Sequence, residues 1–421
     1  MRSHIRRIPT RYAWPLLVGF GLALLFSRGV DQFRGDWLET ADIASGLVIL
    51  LGPLSAAVSA WHAVFQHRHM SEAERSARGV SALANVLRGE LALSISAWLT
   101  VVAVGVAVTV TANPNPASLA HFVPGLFILS GYVAVGAVAG AVWPSIVMPP
   151  LVAVGAYIVA APSTGLLPSA LVKFGGSTAS LVGVEANISF DAGHSVFGLG
   201  LVLVALVAGS WLLTRRRPTA FWGVVGVIGA ACIAAPFGFF AFTNGERFNI
   251  ANSPLTCAGS DPTVCFDSDL AYVSKGLGAD VRRVAGRLSS VDPSGSPTRY
   301  EVRVSDDSTF RPGRRTRPIQ FGSGLTTGST RDRTELLLHY MLIDEGCMGA
   351  DPSKDVSRPL DDLDVAGAAL LYESYADPKL LDTPGLTAYL HWPKAKQTEW
   401  LGAVIRAADA CRLEAFPAPP S

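Results

Sequence analysis

Long apolar runs fill residues 1–242 of the chain, and polar, charged sequence fills residues 243–421. The last apolar run, FWGVVGVIGAACIAAPFGFFAF at 221–242, is uncharged. As a helix it is long enough to cross a hydrocarbon core of roughly 30 Å. Together with the earlier runs, it predicts a polytopic α-helical membrane protein with about seven transmembrane helices, at about 12–27, 43–65, 91–111, 122–142, 146–161, 195–213 and 221–242.

Basic residues between the runs orient these helices in the membrane. Lys and Arg beside a span mark its cytoplasmic side, and Arg215, Arg216 and Arg217 stand directly before the last span. The N-terminal arginines and those of segment 66–90 fall on the same side when the spans alternate in direction. We therefore expect a cell (plasma) membrane protein whose N-terminus is cytoplasmic and whose residues 243–421 are extracytoplasmic.

The pattern is least decisive between residues 143 and 194. Span 146–161 is short because Pro149 and Pro150 restrict its start. The turn at Trp143 is also compatible with a re-entrant hairpin. Residues 162–194 are interrupted by polar residues and glycines, among them Asp191, and their apolar stretches are too short to cross. They predict a long external segment before the sixth span.

Segment 66–90 is a basic connection whose apolar residues Val80, Leu83, Val86 and Leu87 recur at helical spacing. It fits an amphipathic helix along the membrane surface, and an ordinary basic loop between two spans fits as well. In a transporter, an ATPase subunit would push on such a segment. The residues predicted to dock that partner are Arg68, Arg75, Arg78 and Arg88.

Composition agrees with a lipid bilayer as the environment, because the 421 residues are 50% hydrophobic and only 16% charged. Residues 1–242 carry 14 Lys and Arg against 9 Asp and Glu, whereas the remainder carries 20 against 24. The basic excess lies in connections beside spans rather than on one face, so no nucleic-acid partner is expected.

Residues 243–421 are enough for one domain with its own core. Helical periodicity at 269–288, 331–345, 363–375 and 397–413, with one short strand at 299–304 and a loop at 306–328, predicts a mainly α domain with minor β structure. An even number of cysteines in an oxidising compartment predicts two disulfides. Spacing favours the first with the second and the third with the fourth, although three pairings exist for Cys257, Cys265, Cys347 and Cys411.

Motifs for chemistry are missing from the sequence. GxxxxGK[ST], HExxH and GxSxG do not occur, and His339 has no second histidine nearby to share a zinc ion. We therefore predict no catalytic, cofactor-binding or metal-binding residue, no cofactor and no enzymatic activity. Only His62 and Asp42 place ionisable groups in or near a span, which disfavours a proton-coupled carrier.

Four features of the chain carry a family resemblance: the basic segment 66–90, the polar segment before the sixth span, LTCAGSDPTVCF just after the last span, and EWLGAVIRAADACRLEAF near the C-terminus. The chain resembles actinobacterial permease subunits of type-2 ABC exporters, including those linked to lantibiotic export, with an uncharacterised extracytoplasmic domain. The resemblance implies a permease-like or accessory subunit that a separate ABC ATPase energises and that works as a homo- or heterodimeric pair. The seventh span departs from the six-span core of such permeases. The alternative is a membrane-anchored extracytoplasmic sensor or interaction protein without transport activity.

Overall fold

The computed structural model of the chain contains two compact units, residues 1–250 and 251–421. The first unit ends a few residues beyond the predicted boundary at 242, because strand β2 (Phe248–Ile250) pairs with β1 (Val184–Ala186) in antiparallel fashion. The structure describes residues 8–27, 29–30, 33–68, 70–114, 116, 119–160, 175–176, 181, 184–214, 220–242, 247–250, 255–267, 270–292, 297–303, 316–320, 325, 329–342, 357–409 and 416–418.

Unit 1 is built from apolar helices. Five helical stretches among the described residues are long and apolar enough to cross a membrane, and Tyr12–Phe26 and Met148–Val159 are shorter apolar helices near the first and fifth predicted spans. The helices of the unit are α1 (Ile8–Phe26), α2 (Trp37–Gly46), α3 (Val48–His67), α4 (Glu72–Ala112), α5 (Val123–Val142), α6 (Met148–Ala160), α7 (Ile188–Thr214) and α8 (Ala220–Phe242).

Helix α4 joins two segments that were predicted to be separate. Its 41 residues contain most of the basic segment 66–90 together with the predicted span 91–111. Ser71 and Glu74 form a capping box at its start, which fixes where the helix begins. At about 1.5 Å per residue the helix is roughly 60 Å long, about twice the thickness of a hydrocarbon core. The basic segment is therefore amphipathic, as one of the two interpretations predicted, but it continues the span rather than forming a separate surface helix.

Two predicted boundaries of unit 1 are wrong in a way that matters for the site. The second span begins earlier than residue 43, since α2 and α3 together cover Trp37–His67. The sixth begins earlier than residue 195, because Asn187 accepts hydrogen bonds from the backbone at the start of α7 and the helix runs on from Ile188. Asp191 and His194 consequently lie inside a helix and are buried, not in an external loop.

Small residues set the close packing of α3 against α5. A Cβ atom on Gly136 or Gly140 would lie closer than 3.0 Å to the backbone of Ala56 or Ala60. Both pairs are spaced four residues apart along their helices, the small-xxx-small pattern of membrane helix interfaces. These small residues therefore allow the backbones of the two helices to approach closely.

Unit 2 has more β structure than the sequence predicted. One strand was expected, and the described residues contain a four-stranded sheet in the order β3-β4-β5-β6, with the first pair antiparallel and the other two pairs parallel. Strand β6 falls inside the segment 306–328 that was predicted to be a loop. The strands are β3 (Leu255–Ala258), β4 (Thr263–Asp267), β5 (Arg299–Arg303) and β6 (Thr316–Gln320).

The predicted helices of unit 2 are present close to their expected places. Buried apolar residues of α9, such as Leu277, Val281 and Leu288, form the periodic face that the sequence showed. Asp280 on the same helix is buried and accepts hydrogen bonds from Arg283 and Arg333, both at 2.8 Å, which joins α9 to α10. The helices are α9 (Ala271–Val291), α10 (Thr330–Leu342), α11 (Ser357–Tyr375), α12 (Leu386–His391) and α13 (Lys394–Asp409).

The predicted disulfide between Cys257 and Cys265 is present. The two cysteines lie directly opposite one another on β3 and β4, where they staple the hairpin. Cys347 and Cys411 lie outside the described residues. Cys232, in α8, is a free thiol.

Candidate functional site

The main polar site of unit 1 is a set of ionisable side chains at one end of the helices, which we call the Asp42 cluster. Its members come from four places in the chain: the first half of α2 and its middle, the 3-10 turn before α5, the first turn of α7 and the residue before β2. Carboxylates near helix N-termini are stabilised by the helix dipole. The cluster comprises Glu39, Asp42, His121, Asp191 and Arg247.

His121 lies at the centre of the cluster and faces a carboxylate with each ring nitrogen. Its Nδ1 is 2.8 Å from Oδ2 of Asp191, and its Nε2 is 3.4 Å from Oδ1 of Asp42. A neutral imidazole has one N–H and can donate to only one of the two, whereas an imidazolium donates to both. His121 and Asp42 are each only 1% exposed, so only a charged ring would donate to both buried carboxylates.

Arg247 attaches the chain after α8 to this cluster. Its Nη2 donates to Oδ1 of Asp42, and its guanidinium lies 4.9 Å from the ring centre of Phe248. The Phe248 ring is also 5.8 Å from that of His121. With His121 protonated, two positive groups face two aspartates, so these four groups balance in charge and their burial is compensated by pairing.

Parts of the predicted external segment 162–194 cover the cluster. The backbone N–H of Gly176 donates to the carbonyl of Asp42 at 3.0 Å, and that of Leu181 donates to Oε2 of Glu39 at 3.2 Å. A Cβ on Gly175 would collide with the backbone of Gly46. These residues therefore hold the segment against α2, and the backbone approaches so closely that glycine is required.

A second pair, formed by the partly buried His62 on α3 and the buried Glu90 on α4, lies far from the Asp42 cluster along both helices. Glu90 was expected at the edge of a cytoplasmic segment, yet it is 3% exposed. With Asp42, His121, Asp191 and His194, it shows that the helices bury several ionisable groups. The expectation of almost no ionisable residue in the spans is thus wrong, because the helices extend beyond the predicted boundaries.

The residues predicted to dock an ATPase lie at one end of α4 and beside it. Arg78 and Arg88 are exposed on α4, and Arg68 is exposed just after α3; the side chain of Arg75 lies outside the described residues. The opposite face of this part of α4 is buried against α3, α5 and α7. It consists of Ala82, Leu83, Val86 and Leu87.

Unit 2 has a surface cavity of about 440 Å³ between α10, α11 and the 3-10 turn Pro378–Asp382. Its floor contains buried leucines, including Leu338 and Leu371. Exposed charged and polar side chains surround the floor. Three of them are acidic and one is a lysine: Glu335, His339, Asp364, Lys379 and Asp382.

No metal centre is found in the part of the chain that the structure describes: no group of three His, Cys, Asp or Glu side chains there is arranged to hold an ion. His339 lines the cavity of unit 2, and His391 is exposed near the end of α12.

Comparison of the chain with protein-family models, with curated proteins and with solved structures gives no match in any of the three. The resemblance to permeases of type-2 ABC exporters therefore stays a prediction, and so does the assignment to actinobacteria. A membrane location has independent support from the apolar helices.

Proposed function

We propose that the chain is a permease-like or accessory subunit of an exporter that a separate ABC ATPase energises, with residues 1–242 as its transmembrane domain. The observation that supports this function is the continuity of α4. One helix carries the exposed basic face at Arg78 and Arg88 and the membrane-spanning part up to Ala112. A displacement of the basic end by a partner would be transmitted along the helix without passing through a loop.

The far half of α4 is hydrogen-bonded to α2, which carries two members of the Asp42 cluster. Trp98 donates through its indole N–H to the carbonyl of Ala44 at 3.0 Å, and the Thr40 and Thr109 hydroxyls bond each other. Trp37 donates to the carbonyl of Asn113 at 3.1 Å. A push on the basic end of α4 would thus reach α2, and through it the Asp42 cluster.

In the proposed orientation the basic end of α4 is cytoplasmic, in keeping with the positive-inside rule, and unit 2 is extracytoplasmic. The disulfide of the β3–β4 hairpin supports this orientation, because disulfides persist in oxidising compartments. The pairing of two such subunits, as the resemblance implies, is part of the same proposal.

Affinity purification from the native membrane in mild detergent, followed by mass spectrometry, tests the function. The unmodified chain should retain an ATPase with a phosphate loop, and the double variant R78E/R88E should lose it. The matched control is R34E, since Arg34 is also exposed but precedes α2, at the other end of the helices. Absence of an ATPase from the unmodified chain, or equal recovery with R78E/R88E, would contradict the proposal.

A second function, binding of an envelope ligand by unit 2, is supported by its cavity. An apolar floor under a mainly acidic rim suits a ligand with an apolar body and a positive group. In this function the helices of unit 1 chiefly anchor the chain.

Fluorescence anisotropy of a labelled long-chain alkylamine, added to the full chain in lipid nanodiscs, tests this second function. Each exposed ion pair is worth about 0.2–1 kcal/mol, so the variant E335Q/D364N should bind about 2- to 30-fold more weakly. E399Q is the control, because Glu399 is exposed on α13, away from the cavity. Partition of the amine into lipid is the same for all three proteins; identical binding by all of them would exclude the cavity as the site.

A further inference from the structure

The His62–Glu90 pair is the feature of unit 1 that neither proposed function uses. His62 lies on α3 and Glu90 on α4, and both are inside helical stretches apolar enough to span a membrane. Nδ1 of His62 contacts Oε1 of Glu90. A carboxylate in such a place is costly and marks functional sites in membrane proteins, commonly proton or ion pathways.

Three buried polar atoms beside this contact have no hydrogen-bond partner among the described residues: Nε2 of His62, Oε2 of Glu90 and Oγ of Ser94. Ser94 follows Glu90 by one helical turn and is 2% exposed, so both residues lie on the same face of α4. Buried polar groups in proteins are nearly always paired. Three unpaired atoms at and beside one partly buried acid–base pair therefore indicate a site that binds and releases a small ligand, an ion or a proton.

The neighbouring helices offer no other charge to Glu90. Helix α5 contains no charged residue, and α7 contains none after His194. On α3 the other ionisable residue is His67, whose ring nitrogens lie 2.9 Å from the carbonyl of Ala63 and 3.3 Å from that of Gly79. On α4, the Arg88 guanidinium is exposed and donates to Asn85. Helix α1 has one charged residue, Arg11, at its start; its side chain lies outside the described residues.

The donor set fits a proton better than a metal ion. Hard cations need about six oxygen ligands, and the unpaired oxygens here are one carboxylate oxygen and one hydroxyl. A proton needs only one acceptor. Oε2 of Glu90 and Nε2 of His62 can each take one, and the contact between Oε1 and Nδ1 lets the two side chains share the charge.

We infer that the His62–Glu90 pair is a proton-binding site within the membrane helices, loaded from water at Oε2 of Glu90. Loading adds one proton and one positive charge to the pair, and release returns both to water. Because Glu90 lies on the same helix as Arg78 and Arg88, proton binding would bias the position of α4. The inference needs no ATPase partner and stands apart from both proposed functions.

Infrared difference spectroscopy of the full chain in lipid bilayers, titrated over about pH 4–9 to cover the ordinary pKa values of Glu and His, tests the inference. A protonated Glu90 gives a carboxylic C=O band that a carboxylate lacks. The band should grow as the pH falls and be missing from E90Q. E74Q is the control, since Glu74 is exposed at the start of α4 and hydrogen bonds from the Ser71 backbone and hydroxyl lower its pKa.

Two further variants keep Glu90 in place, so the test does not depend on the folding of E90Q alone. In H62Q the pH dependence of the band should change, because the imidazole that contacts Oε1 of Glu90 is lost. S94A is a matched control on the same face of α4: its band should titrate as in the unmodified chain, because Oγ of Ser94 makes no hydrogen bond to the carboxyl. If no titrating band is lost in E90Q, or if H62Q leaves its titration unchanged, the site does not bind a proton as a pair.

Discussion

The contact of α3 with α5 gives the sharpest test of how unit 1 is packed. In the variant G136A, one added methyl group would lie closer than 3.0 Å to the backbone of Ala56. The neighbouring atoms are carbonyl and Cα atoms that cannot rotate aside, so the two helices must separate. Gly140 faces Ala60 in the same way, one turn further along.

Two effects of this change oppose each other. Overpacking a close contact costs about 1–3 kcal/mol, and a collision with backbone belongs at the upper end of that range. Alanine, however, is more favourable than glycine within a helix by about 0.8–1.0 kcal/mol. The net destabilisation is then about 2 kcal/mol. At about 2–4 °C for each kcal/mol in domains of 150–250 residues, the melting temperature should fall by about 4–8 °C.

Thermal unfolding of the detergent-solubilised chain, followed by size-exclusion chromatography, measures this effect. The control is G155A, because Gly155 lies in α6 and an added Cβ there has nothing within 4 Å. That variant gains helix propensity without a collision, so its melting temperature should stay equal or rise slightly. If G136A and G155A melt at the same temperature, α3 and α5 are not packed as closely as described.

Three other predictions concern charge, the disulfide and pH. D42N leaves the guanidinium of Arg247 facing a neutral amide, and removing one partner of a buried ion pair costs about 3–5 kcal/mol; its melting temperature should fall well below that of R34E. C257S removes the disulfide that closes a loop of sequence separation 8. The chain-entropy model gives a loss of about 2.5 kcal/mol in the free energy of unfolding, so the melting temperature should fall. In reducing buffer the difference in melting temperature from the unmodified chain should vanish. Hydrogen bonds from Ser329 lower the pKa of Asp332 in the folded chain. The stability that these bonds contribute is therefore present above the unfolded pKa of about 4 and is lost as the pH falls through the folded pKa. In D332N, the melting temperature should depend less on pH in this range.

The sequence was sufficient for features that depend on local periodicity. The apolar runs predicted the helices of unit 1, and the buried face of α9 follows the leucine and valine spacing read from residues 269–288. Segment 66–90 also showed its amphipathic pattern. Each of these signals lies within a few turns of one helix, where side-chain period and backbone geometry are directly linked.

The Asp42 cluster could not be predicted in this way, because its members come from distant parts of the chain. Asp191 and Arg247 look like ordinary polar residues beside a span. They become a site only when the ends of α2, α5, α7 and α8 meet. One available signal was the Asn187 cap followed by an acidic first turn, which would have started α7 earlier and placed Asp191 within it.

The extra strands of unit 2 were missed for a similar reason. β3 and β4 are only four and five residues long, and β6 includes Pro318 and follows a Gly-, Pro- and Arg-rich stretch. Short strands carry little periodic signal, and their stability comes from pairing with neighbours. The parallel pairing of β4 with β5 also requires the intervening helix α9 as a crossover, which local patterns do not reveal.

The two polar sites of unit 1 differ in how completely they are paired, and this difference suggests where the helices can move. Each charged group of Asp42, His121, Asp191 and Arg247 has an opposite charge from another element, so separating these elements would expose buried charges. Among the described residues, one buried atom of the Asp42 cluster, Nε of Arg247, has no hydrogen-bond partner, against three at and beside the His62–Glu90 pair, where the nearby contacts are apolar. Shifting α4 there breaks few hydrogen bonds. When the basic end of α4 moves, we therefore expect the helix to pivot about its other end, beside the Asp42 cluster. The displacement should be largest from Glu90 to the basic end.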